Sequence, residues 1–379
     1  MHIVLDARAY SWAGVGRYVR NLVWGLAQVD KKNTYLILLG KKDKQLFEES
    51  KVSLLQKNIE VRFVESSYYS WREQTIFWWQ LRNIKADLWH FPNFNMPVLF
   101  NKPYVVTVHD TTRFIFPGQT SQSLAKQVIY EQVFKHAVER AQAVIFVSKA
   151  TKDSLQDLLI KTPKLTKVIY EGLEDRLKSP AGAKEKNKVR QLIGGSNPYL
   201  LYVGVWMNHK NIPRLIEAFS NATLKNKDTK LVITGKAKKK YVDVGAVADK
   251  LGIKKDKIIF VGYVDDQLLP ALYSEAEALL FPSLYEGFGL PAIEAAAMGT
   301  PVITSNVSSL PEIMGDAAVY VNPEDVEGIR RAIERVTTDS KYREALIEKG
   351  ISRAKAFDWL QCARETMHMY ESVAKKELK

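Results

Sequence analysis

Two glutamates, Glu286 and Glu294, stand eight positions apart on either side of a short glycine-containing loop. Pro291, which follows that loop, suits the first position of a helix, because its missing N–H would have no intrahelical partner there. Gly299 is typical of the residue that ends such a helix. Residues 287–290 therefore place backbone N–H groups at a helix N-terminus, where the helix dipole favours an anion.

The two carboxylates restrict what this anion site can bind. An ionised carboxylate only accepts hydrogen bonds, so beside a phosphate it needs hydroxyl donors as partners. Helical side chains lean toward the N-terminus, and Glu294 is therefore expected to point to the same place as Glu286. Amides for a phosphate and two acceptors for hydroxyl groups indicate a nucleotide-sugar site. A helix start with incidental glutamates is the simpler alternative.

Three further groups lie in the first half of the chain. The strand pattern of residues 2–6 is followed by Gly14 and Gly16, which begin a Rossmann-like unit but lack the third glycine of the dinucleotide motif. These two glycines predict either a close approach of the backbone to a phosphate or only a tight turn. His109, followed by Asp110, ends a predicted strand, where either a catalytic or a structural histidine fits. Ser148 ends the next strand and is a weaker candidate for the edge of a cleft.

Strand and helix patterns alternate through the whole chain and predict parallel sheets covered on both faces. The pattern breaks between Glu171 and Asn197, in a stretch rich in glycine, proline and charge. We therefore predict an α/β protein of two Rossmann-like lobes facing each other across a cleft. The lobes are residues 1–175 and 198–357, joined by a linker at 176–197. A terminal helix at about 358–379 is expected to cross back to the first lobe.

The chain has 379 residues and a net charge of +13 at pH 7. An anionic membrane surface, an anionic substrate and nucleic acid would each suit this charge. We rank the membrane first and expect no nucleic acid, because no RNA-recognition or zinc-finger motif is present. The lysine runs Lys236–Lys240 and Lys375–Lys379 are individually typical of a solvated surface.

The cysteine content and the hydropathy pattern indicate the cellular compartment of the protein. Cys362 is the one cysteine, which excludes an internal disulfide and a cysteine metal cluster. We find neither an apolar run of about 18 residues nor a secretory signal. A cytoplasmic protein is expected, with peripheral attachment to the inner membrane face as an open alternative.

Residues 68–82 are unusually aromatic. At helical spacing Trp71, Trp78 and Arg82 fall near one stripe, whereas Phe77 and Leu81 lie to one side. Docking on a bilayer interface, lining of an acceptor groove and core packing against the sheet all fit this pattern.

With these motifs in view, the chain resembles glycosyltransferase family 4, the retaining nucleotide-sugar transferases of GT-B architecture, over nearly its whole length. The matching motifs are Gly-Val-Gly-Arg-Tyr at 14–18, His109-Asp110, Tyr-Val-Gly at 202–204, His-Lys-Asn at 209–211, Phe-Val-Gly-Tyr-Val at 260–264, and Glu286 with Glu294. The run Ser-Asn-Val-Ser-Ser-Leu-Pro-Glu at 305–312 is similar to the mannosyltransferase branch.

The resemblance implies a role for each matching residue. Glu286 would hold donor-sugar hydroxyls, Glu294 would hold the ribose diol, and Lys210 would neutralise the departing diphosphate. His109 would face the donor sugar near its reacting carbon. The other donor-binding positions are Gly16, Phe288, Gly289 and Leu290 for the diphosphate, Gly262, Tyr263 and Val264 for the base pocket, and Gly14, Gly204 and Gly287 without a more specific role.

One motif departs from the family pattern. Much of the family carries an arginine shortly after the strand that ends at Gly204, whereas Val205 and Trp206 stand here. Lys210 then has His209 or Arg214 as the second cation on the diphosphate, and the sequence leaves this choice open.

The sequence also predicts a mechanism. It contains no Asp-x-Asp, so we expect no metal and no cofactor besides the substrate nucleotide-sugar, GDP- or UDP-linked. Fixed amides and Lys210 would stabilise the charge that develops on the leaving diphosphate. No carboxylate is placed as a nucleophile, which favours front-face displacement, in which the departing phosphate helps to remove the acceptor proton.

The predicted function is retaining transfer of a hexose to a glycan or lipid-linked saccharide, with mannose from GDP-mannose as the first choice. A UDP-sugar-dependent transferase of the same fold is the first alternative. A sugar epimerase or phosphorylase, and a non-enzymatic anionic-ligand or RNA-binding protein, also remain open. A glycosidase is disfavoured, because Glu286 and Glu294 share one loop instead of flanking a scissile bond.

Overall fold

The computed structural model describes residues 1–50, 58–66, 68–117, 124–235 and 243–377. The predicted surface lysines Lys236–Lys240 and the last two residues of the chain lie outside this description. The chain divides into two compact units. Unit 1 comprises Met1–Phe114, Gln122–Gly172 and Asp358–Lys379, and unit 2 comprises Ile115–Ser121 and Leu173–Phe357.

In its described part, unit 1 is built on a sheet of seven parallel strands. These are β1 (His2–Asp6), β2 (Thr34–Gly40), β3 (Ile59–Val64), β4 (Leu88–Phe91), β5 (Tyr104–Val108), β6 (Ala143–Phe146) and β7 (Thr166–Val168). Their order is β3-β2-β1-β4-β5-β6-β7, which reverses direction between β1 and β4. Strands β4, β5 and β6 are buried along their whole length, as expected when helices cover both faces of a parallel sheet.

Helices of unit 1 pack on both faces of this sheet. They are α1 (Gly14–Val29), α2 (Lys44–Glu48), a π-helical turn (Glu73–Phe77) continued by α3 (Trp78–Arg82), α4 (Thr112–Ile115, which ends in unit 2), α5 (Leu124–Glu139), α6 (Lys149–Asp157) and the terminal helix α15 (Trp359–Glu377). Helix α15 packs along α1. The Tyr370 hydroxyl of α15 lies 2.6 Å from His90 Nδ1 on β4. The predicted return of the terminal helix to the first lobe is therefore confirmed.

Unit 2 repeats this architecture with six parallel strands in its described part. They are β8 (Tyr199–Tyr202), β9 (Lys230–Thr234), β10 (Ile258–Gly262), β11 (Ala278–Phe281), β12 (Val302–Ser305) and β13 (Val319–Val321), in the order β10-β9-β8-β11-β12-β13. The helices are α7 (Ala183–Leu192), α8 (Ile212–Asn221), α9 (Val244–Lys250), α10 (Leu269–Ser274), α11 (Leu290–Ala297), α12 (Leu310–Met314), α13 (Val326–Thr338) and α14 (Ser340–Ala354). The predicted pair of Rossmann-like units is confirmed.

Element boundaries differ from the sequence expectations at identifiable residues. Helix α8 begins at Ile212 because Asn211 adopts a left-handed conformation, with φ of 60°, and precedes the helix. The strand expected to end at Gly204 ends at Tyr202. Residues 183–192, within the predicted linker, form a helix whose charged sequence concealed one buried position, Val189. No helix in the described ranges is long and apolar enough to cross a membrane.

Candidate functional site

The candidate site lies at the carboxyl ends of β8 and β11 in unit 2. These neighbouring strands mark the point at which the strand order reverses. In open parallel sheets, ligands bind outside the carboxyl ends of the strands at such a point. The chain leaving β8 supplies Gly204 and Lys210, and the chain leaving β11 supplies Glu286 and the start of α11.

Lys210 and Glu286 form a bidentate ion pair. The ammonium nitrogen of Lys210 lies 2.7 Å from each carboxylate oxygen of Glu286, and both side chains are largely buried. Two of the three N–H bonds of Lys210 can serve this pair, which leaves the third for another acceptor such as a phosphate. The carboxylate likewise keeps lone pairs for hydroxyl donors. Sequence reasoning gave these residues separate roles, whereas the structure makes each one fix the other's position.

The helix start beyond Glu286 has the geometry of an anion site. Gly289 precedes α11 with φ of +99°, a conformation that favours glycine, and a Cβ there would lie 2.8 Å from Leu310 Cδ2. Leu290 is the first helical residue and Pro291 the second, one position later than predicted. Both belong to the first turn, where N–H groups lack intrahelical acceptors. The assignment of a diphosphate to residues 288–290 stays a prediction.

Ser308 and Ser309 hold the loop that carries Glu286 in place through hydrogen bonds. The sequence did not predict this role. The Glu286 N–H donates to Ser308 Oγ at 3.0 Å, and the Ser308 hydroxyl donates back to the Glu286 carbonyl. Ser309 Oγ contacts the carbonyls of Glu286 and Phe288 at 3.0 and 2.9 Å. A signal was present, because the loops that follow the paired strands β11 and β12 must be neighbours.

The segment around Lys210 is held against the β11 loop by its neighbours. Asn211 Nδ2 donates to the carbonyls of Pro282 and Pro323, and the Leu284 N–H donates to the His209 carbonyl at 2.7 Å. These contacts set the position of the Lys210 backbone beside Glu286.

His209 and Arg214 differ as candidates for the second cation. Burial, reinforced by the adjacent Lys210, lowers the pKa of His209 to about 3, which favours a neutral imidazole near pH 7. His209 is therefore the weaker candidate for the second cation. Arg214 donates to Oδ1 of Asn211, the residue after Lys210, at 3.0 Å.

Glu294 lies one turn into α11, as expected from its spacing. It is buried, and its Oε2 accepts a hydrogen bond from the Tyr273 hydroxyl at 2.9 Å. This contact fixes one carboxylate oxygen from the α10 side. The assignment of Glu294 to a ribose diol stays a prediction.

The predicted base pocket is formed by the backbone at the ends of β8, β9 and β10. Gly204 has φ of +154°, and a Cβ at Gly235 would lie 1.9 Å from the Gly204 carbonyl, so two backbone segments touch there. Trp206, the second of the two residues that follow Gly204, donates from Nε1 to the Thr234 carbonyl at 2.8 Å. Its indole is thus part of the strand packing.

Residues 262–264 follow β10 directly. Gly262 has φ of +69° and accepts the Gly235 N–H at its carbonyl at 2.6 Å. Tyr263 is 68% exposed, whereas Val264 is buried. Tyr263 is therefore the residue of the three whose side chain can contact a ligand.

In unit 1, His109 lies at the carboxyl end of β5 as expected. Its Nε2 donates to the Pro92 carbonyl at 2.8 Å, and its Nδ1 lies 3.3 Å from Glu171 Oε1. The ring also packs edge-on against Tyr18, with centroids 4.7 Å apart. Both ring nitrogens thus have protein partners, which orient the ring and leave its catalytic role a prediction.

The glycines of unit 1 have different surroundings. Gly14 is the first residue of α1, and a Cβ there would meet no atom within 4 Å. A Cβ at Gly16 would lie 2.6 Å from the Ala9 carbonyl oxygen, so backbone packing already requires a glycine there. The assignment of Gly16 to the diphosphate stays a prediction. Ser148 is buried and caps α6, accepting the Thr151 N–H at 3.0 Å, so its hydroxyl serves the helix instead of a cleft edge.

The fold belongs to the GT-B class of glycosyltransferases. Among solved structures, sucrose-phosphate synthase from Thermosynechococcus elongatus matches with a TM-score of 0.79 at 22% identity, covering 98% of this chain and 99% of that one. Anabaena HepE in complex with UDP-glucose matches with a TM-score of 0.78 at 17% identity, covering 98% of this chain and 100% of that one. At such identities the likeness shows the fold alone.

Sequence comparison narrows this class. The family models for Glycosyltransferase Family 4 and for glycosyl transferases group 1 match residues 12–176 and 183–353. O-antigen chain mannosyltransferase B of Escherichia coli is 31% identical over 300 residues, 77% of this chain and 76% of its own. O-antigen chain mannosyltransferase RfbU of Salmonella typhimurium is 32% identical over 241 residues, 64% of this chain and 62% of its own. The chain belongs to glycosyltransferase family 4 and is a hexosyltransferase.

Proposed function

We propose that this enzyme transfers a mannosyl group from GDP-mannose to a hydroxyl group of a glycan or lipid-linked saccharide, with retention of configuration at the anomeric carbon. The observation that carries the proposal is the Lys210–Glu286 pair at the start of α11, where an anion and sugar hydroxyls can bind together. The mannosyltransferase relatives and the run 305–312 support mannose as the sugar.

Lys210 and Glu286 bind different parts of the donor. A diphosphate oxygen accepts the remaining N–H of Lys210 and the amides of residues 288–290, while Glu286 accepts hydrogen bonds from sugar hydroxyls. Arg214 is the stronger candidate for the second cation, since the lowered pKa of His209 favours a neutral imidazole. Glu294 and residues 262–264 complete the site on the ribose and base.

The transfer step follows from these contacts. The acceptor oxygen forms a bond to the anomeric carbon on the face from which the diphosphate leaves, so that configuration is retained. The electron pair of the broken carbon–oxygen bond goes to the diphosphate, and the acceptor proton passes to a phosphate oxygen. Lys210 and the helix amides stabilise the leaving group more in the transition state than before it, which is what accelerates the reaction.

The acceptor side of the proposal rests on an exposed aromatic face in unit 1. Tyr69 is 54% exposed and lies parallel to Trp12, with centroids 6.4 Å apart. The guanidinium of Arg113 lies 5.7 Å from the Tyr69 ring. Aromatic faces with a neighbouring hydrogen-bond donor suit the apolar face and hydroxyls of a saccharide. Tyr69 has φ of 59°, a strained conformation held by its N–H bond to Glu73.

The proposed reaction needs no metal ion and takes place in the cytoplasm. Lys210 and the helix dipole supply the positive charge that a metal would otherwise bring to the diphosphate. The lone cysteine, Cys362, is buried and forms no internal disulfide, which is compatible with a reducing compartment. We expect turnover to be unchanged by EDTA. Full inhibition that magnesium restores would contradict the metal-free mechanism.

A UDP-sugar donor is the second candidate, because HepE, which shares the fold, binds UDP and UDP-glucose. Thermal unfolding in the presence of GDP, UDP and ADP, each alone and as its sugar, distinguishes the donors. We expect the largest stabilisation with GDP and GDP-mannose, since a ligand stabilises the state that binds it. Stabilisation by UDP alone would replace the mannose assignment with the UDP-sugar alternative. Stabilisation that persists undiminished in Glu286→Gln with Lys210→Met would overturn the site itself.

A further inference from the structure

The helical segment 71–82 has two unlike faces. Phe77 and Leu81 are fully buried in the core cluster of unit 1. On the opposite face, Trp71 is 85% exposed and Trp79 is 62% exposed. The structure thus assigns core packing to one part of this aromatic segment and leaves the two tryptophans in solvent.

The exposed face is both apolar and cationic. Ile76, between the tryptophans in sequence, is 40% exposed, and Leu99 is 68% exposed. The Leu99 carbonyl joins this segment by accepting the Nε1–H of Trp78, next to Trp79, at 3.1 Å. Arg72 and Arg82 are exposed in the same segment. Large exposed apolar groups in one patch are unusual on a protein that meets only water.

A basic recess adjoins the end of this segment. An open cavity of about 420 Å³ is lined by the cationic side chains of Arg82, Lys85 and Lys102 and by the carboxylate of Asp87. The Lys102 ammonium group donates to the carbonyls of Leu81, Arg82 and Ile84, so it is fixed at the helix end. Asp87 is engaged by the His2 N–H at 2.6 Å. The recess therefore offers net positive charge beside the aromatic face, which suits a phosphate group.

We propose that this face, formed by Trp71, Ile76, Trp79 and Leu99, docks on an anionic bilayer surface. Tryptophan side chains favour the boundary between lipid headgroups and acyl chains. Arg82 and Lys85 then contact lipid phosphates at the recess. Apolar insertion and basic contacts together provide the two signals that stable peripheral binding requires. The net charge of +13 adds long-range attraction to the same surface.

Vesicle co-sedimentation tests the apolar part of this docking surface. The full chain is mixed with vesicles of phosphatidylcholine and phosphatidylglycerol in equal amounts, or of phosphatidylcholine alone. We expect binding to the anionic vesicles, with a blue shift of tryptophan fluorescence. The variant Trp71→Ser with Trp79→Ser should bind about tenfold more weakly. Leu159→Ser removes an equally exposed side chain elsewhere in unit 1, 86% exposed, and should bind like the wild type.

Charge reversal tests the electrostatic part. Arg72→Glu with Arg82→Glu should weaken binding to the anionic vesicles at least about tenfold, because each cation near the surface contributes to the attraction. Lys255→Glu, at an exposed position of unit 2, is the matched control and should have a much smaller effect. Thermal unfolding with and without GDP verifies that each variant is folded, and it does so independently of the vesicles.

Three outcomes would overturn the proposal. Wild-type protein that does not bind anionic vesicles contradicts it directly, and so does equal binding by the tryptophan variant. Self-association of the wild type that the tryptophan variant abolishes, without any difference in vesicle binding, would make this face a protein contact. None of these results depends on the donor or acceptor, so the proposed reaction stands or falls separately.

Discussion

The ion pair between Lys210 and Glu286 limits what either residue can do alone. Both side chains are largely buried, so removal of one partner leaves the other charge without compensation. A single substitution therefore disturbs both phosphate binding and sugar binding. For this reason, the effects of substituting the two residues should not be additive.

Glu286→Gln should lower kcat/KM by roughly a hundred-fold or more, since it removes the charge that holds Lys210 as well as an acceptor for sugar hydroxyls. Lys210→Met should cost a similar factor, and the double variant little more than either single one. Steady-state kinetics with a saturating acceptor provides the measurement. Glu275→Gln, which removes the partner of Lys186 and Arg190 in the same unit, is the matched control and should retain activity. Losses that multiply in the double variant would show that the two residues act independently.

Ser309 positions the Glu286 loop without contacting substrate in the proposed mechanism. Ser309→Ala removes a buried hydroxyl that contacts the carbonyls of Glu286 and Phe288, at a cost of about 1–3 kcal/mol in unfolding free energy. We expect a raised donor KM together with a lower Tm. Ser274→Ala also removes a hydroxyl that donates to a carbonyl in unit 2, and it should leave the donor KM unchanged. An unaltered KM in Ser309→Ala would mean that the loop keeps its position without this hydroxyl.

Among the elements of unit 1, helices α1 and α15 depend on a close approach at Gly25. A Cβ there would lie 2.7 Å from Ala363 Cβ and 3.0 Å from the Trp359 carbonyl oxygen. Gly172 likewise brings its backbone against Trp359, since a Cβ added at Gly172 would lie 2.2 Å from the Trp359 nitrogen. Close packing of the terminal helix thus depends on Gly25 and Gly172, which are far from it in sequence.

Gly25→Ala should lower the free energy of unfolding of unit 1 by about 1–3 kcal/mol, because the added methyl group overpacks the contact between the two helices. Gly14→Ala, in the same helix and with nothing within 4 Å of its Cβ, should be neutral or stabilising by up to about 1 kcal/mol. Urea unfolding followed by circular dichroism gives both values. Equal stability of the two variants would refute the close packing of α15 on α1.

For the molecule as a whole, each unit buries one neutral histidine. Burial, with a smaller effect of His109, lowers the pKa of His90 from 6.5 to about 3, and burial with Lys210 does the same for His209. The unfolded chain therefore binds more protons than the folded chain between these values. Stability should fall as pH falls through 6.5 toward about 3, by at most about 1.4 kcal/mol per pH unit for each histidine.

Unfolding free energies measured from about pH 7 to about pH 5 test this linkage, because histidine titrates there before most carboxylates do. His90→Asn should flatten the pH dependence of unit 1, and His209→Asn should flatten that of unit 2. His368→Asn, at an exposed position, should leave both slopes as they are. A wild-type slope retained in His90→Asn would show that its imidazole is not held neutral.

The sequence by itself determined the fold class and the family, and it predicted the region of the site. The strand and helix periods gave two parallel α/β units, because such units are specified by local patterns that repeat. Glu286, Glu294 and Gly289 could be predicted as site residues because the loop and helix that carry them are contiguous in the chain. The neutral state of His209 and the start of α8 at Ile212 could not be predicted from the sequence. The first depends on burial, and the second depends on backbone conformation.

Only the tertiary structure decided how these residues act together. Lys210 and Glu286 are 76 positions apart, and their pairing depends on β8 and β11 being neighbours. The same applies to Ser308 and Ser309, which reach Glu286 because β12 pairs with β11. Helical spacing alone could not separate Phe77 from Trp79, because both are large and apolar and only the packing of the helix on the sheet buries one and exposes the other.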